Sequence, residues 1–381
     1  MQLSVIILNY NVRYFLEQCV LSVQTALEYI DSEIIVVDNN SNDASCAMMK
    51  QRFPNVKLIE NTTNLGFPKG NNIGVSIAKG EYICILNPDT VVAQDTFSKV
   101  LEFAQKKSEL GIVGVKLIDG TGNFLPESKR GIPTPWVAFT KITKLYMLFP
   151  KTSIFNRYYA QHLSQNETGK VEILVGAFMV MKRELYTEIG GFDENCFMYS
   201  DDVDLSYMVL KSGKSNYYFH ETTVIHYKGE STIKDGVYMK RFQEAMNFFY
   251  KKHFKVSVFF SIIMQLGIVF FSVVKKFQGK SKSKLLPANY ILFSDNDSYR
   301  KKLEAQLNKK VMLQDNIKPL PIRDSEIIFD QNYLDLKTII KFMETNKDEG
   351  YTFKIASKSF DFIIGSNSSF DRGEIIKIPN L

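Results

Sequence analysis

An α/β fold built on a mostly parallel central sheet, with helices on both faces, is what the first 120 residues of this 381-residue chain predict. Two observations carry the expectation. Short β-rich runs alternate with stretches of helical period at the spacing of strand–helix–strand units. Asn or Asp also stands just past four successive apolar runs, where sheets of this kind bind ligands. A composition of 45% hydrophobic and 23% charged residues belongs to a folded globular chain. The length allows one large domain with a smaller addition.

The strands are LSVIIL, EIIVV, VKLIE, YICIL and GIVGVKL, and helical patterns fall at 13–29, 44–52, 70–79 and 95–107. MQLSVIILNY has no basic leader and too short an apolar run for a signal peptide, so it is read as the first strand. Asn9 and Asn11 follow that strand, Asp38-Asn39-Asn40 the second, Asn64-Leu65-Gly66 the third and Asn87-Pro88-Asp89 the fourth. Pro88 cannot donate a ladder hydrogen bond, so YICIL stops there and Asp89 sits in the turn beyond. Asn and Asp are common turn residues in any case, but four neighbouring strand ends converging on them mark this edge as a binding site. Asp38 could accept hydrogen bonds from a nucleobase or ribose there, and Asp89 could hold a divalent metal. The dinucleotide fingerprint G-x-G-x-x-G is absent, because GFPKGNNIG spaces its glycines by four. A hydride-transferring dehydrogenase and a P-loop phosphotransferase are both disfavoured.

Residues 175–213 read as a strand, a short helix, a Gly-Gly corner and a helix from about Asp201. Asp201, Asp202 and Asp204 crowd its first turn. Acids favour helix N-termini by roughly 0.3–1 kcal/mol each, but three in four residues exceed what capping needs. NYYF and TTVIHY follow as two strands ending at His226, Tyr227, Lys228 and Gly229. His162, His220 and His253 are read as ordinary structural histidines. His226 differs by its position just past an apolar strand.

In this order, SVIILNYN, VVDNNSND, NLGFPKGNN, LNPDT, GGFDENCFMYSDDVDL and HYKGES resemble the family-2 glycosyltransferases of the GT-A nucleotide-diphospho-sugar transferase fold. The rhamnosyltransferase-like branch of bacterial surface-polysaccharide synthesis is the nearest, over residues 1–235. The resemblance implies that Asp38 contacts the base or ribose of a nucleotide sugar, with Asn9, Asn11 and Asn39 around it. Asn64, Gly66 and Asn71 would shape the loop facing the nucleotide. Asp89 would be the metal-binding end of an Asp-x-Asp motif whose first acid is here Asn87, which leaves one fixed charge fewer on the ion. His226 resembles the second protein ligand, for Mg²⁺ or Mn²⁺. Asp202 lies where the family places its catalytic base. The implied reaction is an inverting, in-line displacement at the anomeric carbon without a covalent intermediate. Donor and acceptor would be dTDP-rhamnose or a UDP-hexose and a hydroxyl of a lipid-linked glycan, at the cytoplasmic face of the bacterial inner membrane. The alternatives are a sugar-phosphate nucleotidyltransferase, for which LNYNVRYF offers no triphosphate loop, and a non-catalytic membrane-associated scaffold.

The net charge of +6 is unevenly placed. Residues 128–166 hold no Asp or Glu but six Lys or Arg, and residues 245–294 hold eight lysines and no acid. Both segments are aromatic-rich, and the second flanks the uncharged run 256–274. Basic residues beside apolar runs suit an anionic membrane surface better than nucleic acid. As a helix, 256–274 would be about 28 Å long. It is expected to be a monotopic or re-entrant anchor rather than a true span, with a buried core helix as the other reading. The aromatics of 128–166, from Trp136 and Phe139 to Tyr158 and Tyr159, form a candidate surface for a lipid-linked acceptor. The expected domains are 1–235, a membrane-associated segment and basic linker at 236–284, and a small α/β domain at 285–381. Cys19, Cys46, Cys84 and Cys196 lack metal-ligand spacing and are read as reduced core residues.

Overall fold

The computed structural model describes residues 1–142, 145–149, 152, 154–227, 236–254, 287–318, 322–367 and 373–379. Strands β1 (Leu3–Asn9), β2 (Ser32–Asp38), β3 (Lys57–Glu60), β4 (Tyr82–Leu86), β5 (Thr90–Val91), β6 (Leu110–Ile118), β7 (Gly169–Val171), β8 (Phe178–Lys182) and β9 (Ser215–His226) form one sheet. Its order is β3-β2-β1-β4-β8-β6-β9-β5, with β7 added on β9. The β3-β2-β1-β4 half is parallel, β8 runs antiparallel between β4 and β6, and β6 and β9 are again parallel.

The accompanying helices are α1 (Arg13–Ala26), α2 (Ser45–Arg52), α3 (Gly66–Ser76), α4 (Thr96–Gln105), α5 (Pro135–Ile142), α6 (Leu145–Leu148), α7 (Arg183–Glu188), α8 (Asp201–Lys211) and α9 (Gly236–His253). Period-two alternation along β1 sends Leu3, Val5 and Ile7 to one face, where Leu16 and Val20 of α1 and Phe97 and Val100 of α4 cover them. Ile6 and Leu8 turn to the other face, against Val75 of α3 and Leu205 and Val209 of α8. A sheet buried on both faces needs near-continuous apolar strands, and β1 and β4 are buried at every position.

The glycine spacing that disfavours a dinucleotide fingerprint has a packing reason. A Cβ on Gly70 would lie 2.3 Å from Leu8, and one on Gly74 2.6 Å from Ile6, so α3 can lie directly on β1 only without side chains there. That helix begins at Gly66, four residues earlier than its apolar periodicity suggests. NYYF and TTVIHY are not two strands but one, β9, whose register against β6 jumps from Val115↔Phe219 to Lys116↔Thr223. The extra residues bulge out without ending the strand. β5 and β7 have two and three residues, too few to show any periodicity.

A second sheet follows, made of β10 (Asn289–Phe293), β11 (Val311–Gln314), β12 (Ser325–Asp330), β13 (Tyr351–Ala356), β14 (Phe362–Gly365) and β15 (Glu374–Lys377). Its order is β11-β10-β12-β13-β14-β15, with helices Asp297–Leu307 and Leu336–Thr345 in its connections. It shares a core with the first sheet: Phe293, Phe329 and Phe353 join Val12, Phe15, Val91, Ile225 and Tyr227. The amides of Gln18 and Gln331 exchange two hydrogen bonds at 3.1 and 2.8 Å inside this contact, and Arg52 ties Glu17 to Asp361. The apolar run 256–274 and its basic linker lie outside the described residues. Among the described residues no helix is long and apolar enough to cross a membrane.

Candidate active site

The parallel register of β1 and β2 sets Asn9 opposite Asp38 at the carboxyl edge. The Asn9 amide donates to Asp38 Oδ2 at 2.7 Å, and the Ser41 N–H donates to Oδ1 at 2.7 Å. Asn9 Oδ1 is buried and has no partner among the described residues. Asn11, in the left-handed region at φ 56°, closes onto the same loop: its N–H donates to Ser41 Oγ and its Oδ1 accepts from the Asn42 N–H. Asn39 donates to the Gly66 carbonyl, and Asn64 accepts from the Gly66 N–H at 3.0 Å. Gly66 itself needs φ +82°, and a Cβ there would stand 2.8 Å from the Phe197 carbonyl. Asn71 is fully buried in α3 and donates to the Phe67 carbonyl, while its Oδ1 finds no partner among the described residues. Asn39 and Asn64 therefore tie loop backbone together, and Asn71 braces the first turn of α3 from within.

The Asn87-Pro88-Asp89 corner is met by the end of β9. Antiparallel pairing sets Thr90 against His226, and the Tyr227 N–H donates to the Asp89 carbonyl at 3.0 Å. His226 Nε2 consequently stands 3.4 Å from Asp89 Oδ1 and 3.3 Å from Asn87 Nδ2. If that nitrogen accepts from the Asn87 amide, its lone pair also faces a carboxylate, an arrangement that a cation between them relieves. Asp89 and His226 are both nearly buried, and His226 Nδ1 has no partner among the described residues. Among the described residues no group of three or more His, Cys, Asp or Glu closes on one point. The protein thus offers a carboxylate–imidazole pair, which fits a divalent ion whose remaining ligands come from substrate oxygens.

Asp202 stands in the first turn of α8. Arg130 Nη2 donates to its Oδ2 at 2.5 Å, and the Gly176 N–H donates to the same oxygen at 3.1 Å. The next residue, Ala177, accepts the Asn87 N–H at 3.0 Å. Two consecutive residues leading into β8 therefore hold the acid of α8 and the Asn-Pro-Asp corner. Burial, together with the charge of Asp202 beside it, pushes Asp201 up to about 7. Asp204 turns away and pairs with Lys252 and His253 of α9.

Arg130 was legible only as one cation in an acid-free segment, which suggested a surface. Instead it points inward, as does Lys129, whose ammonium donates to the carbonyls of Tyr159 and Ala160 and which burial pulls down to about 8. Lys141 lies 3.7 Å from the centre of the Tyr158 ring. Burial alone would raise the Tyr158 phenol, but Lys141 and Arg130 outweigh it and draw it below its ordinary value. All four cysteines are free, and burial pushes Cys19 and Cys46 up to about 12, so neither supplies a thiolate.

The carboxyl edge of the sheet thus carries a carboxylate–imidazole pair, and the backbone of residues 176 and 177 links that corner to the acid of α8. Residues 4–190 match the sequence profile of Glycosyl transferase family 2, and together with its rhamnosyltransferase relatives this makes the chain a glycosyltransferase of rhamnosyltransferase-like character. It is 28% identical over 246 residues to N-acetylglucosaminyl-diphospho-decaprenol L-rhamnosyltransferase of Mycobacterium tuberculosis, covering 61% of this chain and 78% of that protein. It is 23% identical over 206 residues to rhamnosyltransferase WbbL of Escherichia coli K12, covering 51% and 72%. Among solved structures, mannosyltransferase PcManGT from Pyrobaculum calidifontis, in complex with GDP-Man and Mn²⁺, aligns with 73% of this chain and 76% of its own. The identity there is 16% and the TM-score 0.47.

Proposed function

We propose that the chain transfers a sugar, with inversion, from dTDP-rhamnose or a UDP-hexose to a hydroxyl of a lipid-linked glycan, in surface-polysaccharide synthesis at the cytoplasmic face of a bacterial inner membrane. The relatives' rhamnosyltransferase names favour the deoxysugar donor and, in one case, a diphospho-lipid acceptor. The observation that carries the reading is the pair of contacts at residues 176 and 177, which join Asp202 to the Asp89–His226 corner through adjacent backbone groups.

In this reading Asp202 takes the proton from the acceptor hydroxyl as the new glycosidic bond forms. Both hydrogen bonds that hold it fall on Oδ2, which leaves Oδ1 for that proton. Arg130 keeps the carboxylate oriented. Asp38, braced by Asn9, accepts from the base or ribose of the donor. Asn11, Asn39, Asn64, Gly66 and Asn71 hold the two loops that border the nucleotide, and Asn87 keeps His226 turned toward Asp89. Asp89 and His226 would hold Mg²⁺ or Mn²⁺, which when bound offsets the charge developing on the departing diphosphate. No second carboxylate is needed, since an inverting displacement has no covalent intermediate.

The test is transfer and slow hydrolysis with a panel of dTDP- and UDP-sugars, with and without Mn²⁺, for wild type beside Asp202→Asn. Metal-dependent release of the nucleoside diphosphate from one donor, lost in the variant, is expected. Equal release from both proteins would remove Asp202 from the reaction, and donor binding without release would favour a scaffold.

A further inference from the structure

We infer that Trp136, Met147, Leu148, Phe149 and Ile154 form a tip that seats on an anionic lipid bilayer and thereby sets Asp202 close to the membrane surface. The inference rests on the proposed lipid-linked acceptor and adds which face of the molecule meets the lipid. These five large apolar side chains range in exposure from 46% at Trp136 to 70% at Leu148. They form one patch. The Trp136 and Phe149 rings lie 6.0 and 5.2 Å from the ring of Phe155, and the Trp136 indole N–H donates to the Ile154 carbonyl at 3.1 Å. Other exposed large apolar residues among those described, such as Tyr29, Ile77 and Leu313, are separated along the chain and need no such account.

Charge selects the occupant. The tip belongs to the stretch 128–166, whose sequence contains no Asp or Glu and sets Lys144 and Lys151 among its apolar residues, while Lys141 lies against the Tyr158 ring. That combination suits anionic headgroups, with an indole at the polar–apolar boundary. α5 and α6 have eight and four residues, far short of a membrane crossing, so the tip lies at the interface. A path of rings leads back from it to the reaction centre. Tyr146 and Tyr159 stand 5.5 Å apart and Tyr159 and Tyr158 4.7 Å; Lys141 lies 3.7 Å from the Tyr158 ring, and the charge of Arg130, the partner of Asp202, acts on the Tyr158 phenol. An acceptor whose lipid stays in the bilayer would reach the base along this face.

Trp136 is the only tryptophan in the chain, so its emission reports on this patch whatever the run 256–274 does. Full-length protein is mixed with vesicles of phosphatidylcholine alone or with phosphatidylglycerol, each with and without bromine-labelled acyl chains. The expected result is a shift of emission to shorter wavelength and quenching by brominated lipid, both stronger with phosphatidylglycerol. Both should be lost in Leu148→Glu with Phe149→Glu, while donor hydrolysis and circular dichroism match wild type. Trp136 emission that stays constant while the protein sediments with vesicles would overturn the inference and place the attachment elsewhere. A concentration-dependent shift without vesicles would instead make the tip a contact with a second copy. The fluorescence needs no turnover, and donor hydrolysis in the same samples tests the proposed reaction separately.

Discussion

The two sheets end in similar residues with different fates. At the carboxyl edge of the first stand Asp38-Asn39-Asn40 and Asn87-Pro88-Asp89; at that of the second stand Ser294-Asp295-Asn296-Asp297 and Asp330-Gln331-Asn332. In the second sheet the polar groups of the turns satisfy one another, and in that region only the Tyr299 hydroxyl is buried without a partner among the described residues. Asp330 accepts from the Ser294 hydroxyl at 2.6 Å and from the Asn332 N–H, Asn296 caps the helix that follows, and Asp297 pairs with Arg300 and Lys301. In the first sheet Asn9 Oδ1, Asn71 Oδ1 and His226 Nδ1 are buried without partners among the described residues, and a carboxylate faces an imidazole with no hydrogen bond between them. Buried polar atoms are costly to leave unpaired. An edge that leaves them so has hydrogen-bonding capacity to offer a ligand; an edge whose turns close their own hydrogen bonds has less.

The largest effect that would break this contrast lies at Asp202. Its replacement by Asn should lower transfer by about 10²–10⁴-fold, the usual worth of a general base, while calorimetry finds donor affinity unchanged. A next, smaller effect belongs to the corner: His226→Ala should raise the Mn²⁺ concentration needed for half-maximal rate by on the order of 10–100-fold, the range that even an outer-shell partner commands. A metal titration that superimposes on wild type would leave His226 with only its contact to Asn87.

The same substitution logic should fail at the other edge. Asp330→Ala strands the buried Ser294 hydroxyl at the edge of the second sheet. It should cost about 1–3 kcal/mol of stability in urea unfolding with the transfer rate of the folded enzyme unchanged. A lost rate without lost stability would make the second edge a site after all. The second sheet does support the Asp89–His226 corner in one respect: Phe293 and Phe329 share a core with Val91, Ile225 and Tyr227, the chain neighbours of that pair.

Much of the first edge was legible because each strand announces itself by an apolar run and each end by Asn or Asp. The alternation of period fixes which residues share an edge, and Pro88 fixes where β4 stops. What stayed hidden was pairing across distance. Arg130 meets Asp202 seventy-two residues later, and no spacing rule connects a loop cation to a helix N-terminus. Composition was silent there, since an acid-free segment reads the same whether its cations point outward or, as Lys129 and Arg130 do, inward. The bulge in β9 was hidden too, because a strand that bulges reads as two short runs. β11 and β15 offered only four residues each, with half-exposed patterns.

The finest distinction is in how stability follows pH, because one carboxylate from each region is displaced in an opposite direction. Asp201, buried beside Asp202, has a folded value pushed up to about 7, against about 3.9 in an unfolded chain. The folded state therefore holds its proton longer, and stability falls as pH rises from about 4 through about 7. Asp361 goes the other way. Burial alone would raise it, but Ser359, Ser357 and Arg52 draw it below the ordinary carboxylate range, so its contribution is present above about pH 4 and lost as pH falls below that. Thermal melts should then show Asp201→Asn gaining on wild type between pH 4 and pH 8, and Asp361→Asn losing least relative to wild type at the acid end. A difference from wild type that stays constant across this range for Asp201→Asn would mean that the acid next to the base is ionised throughout. In that case Arg130 would balance two charges instead of one.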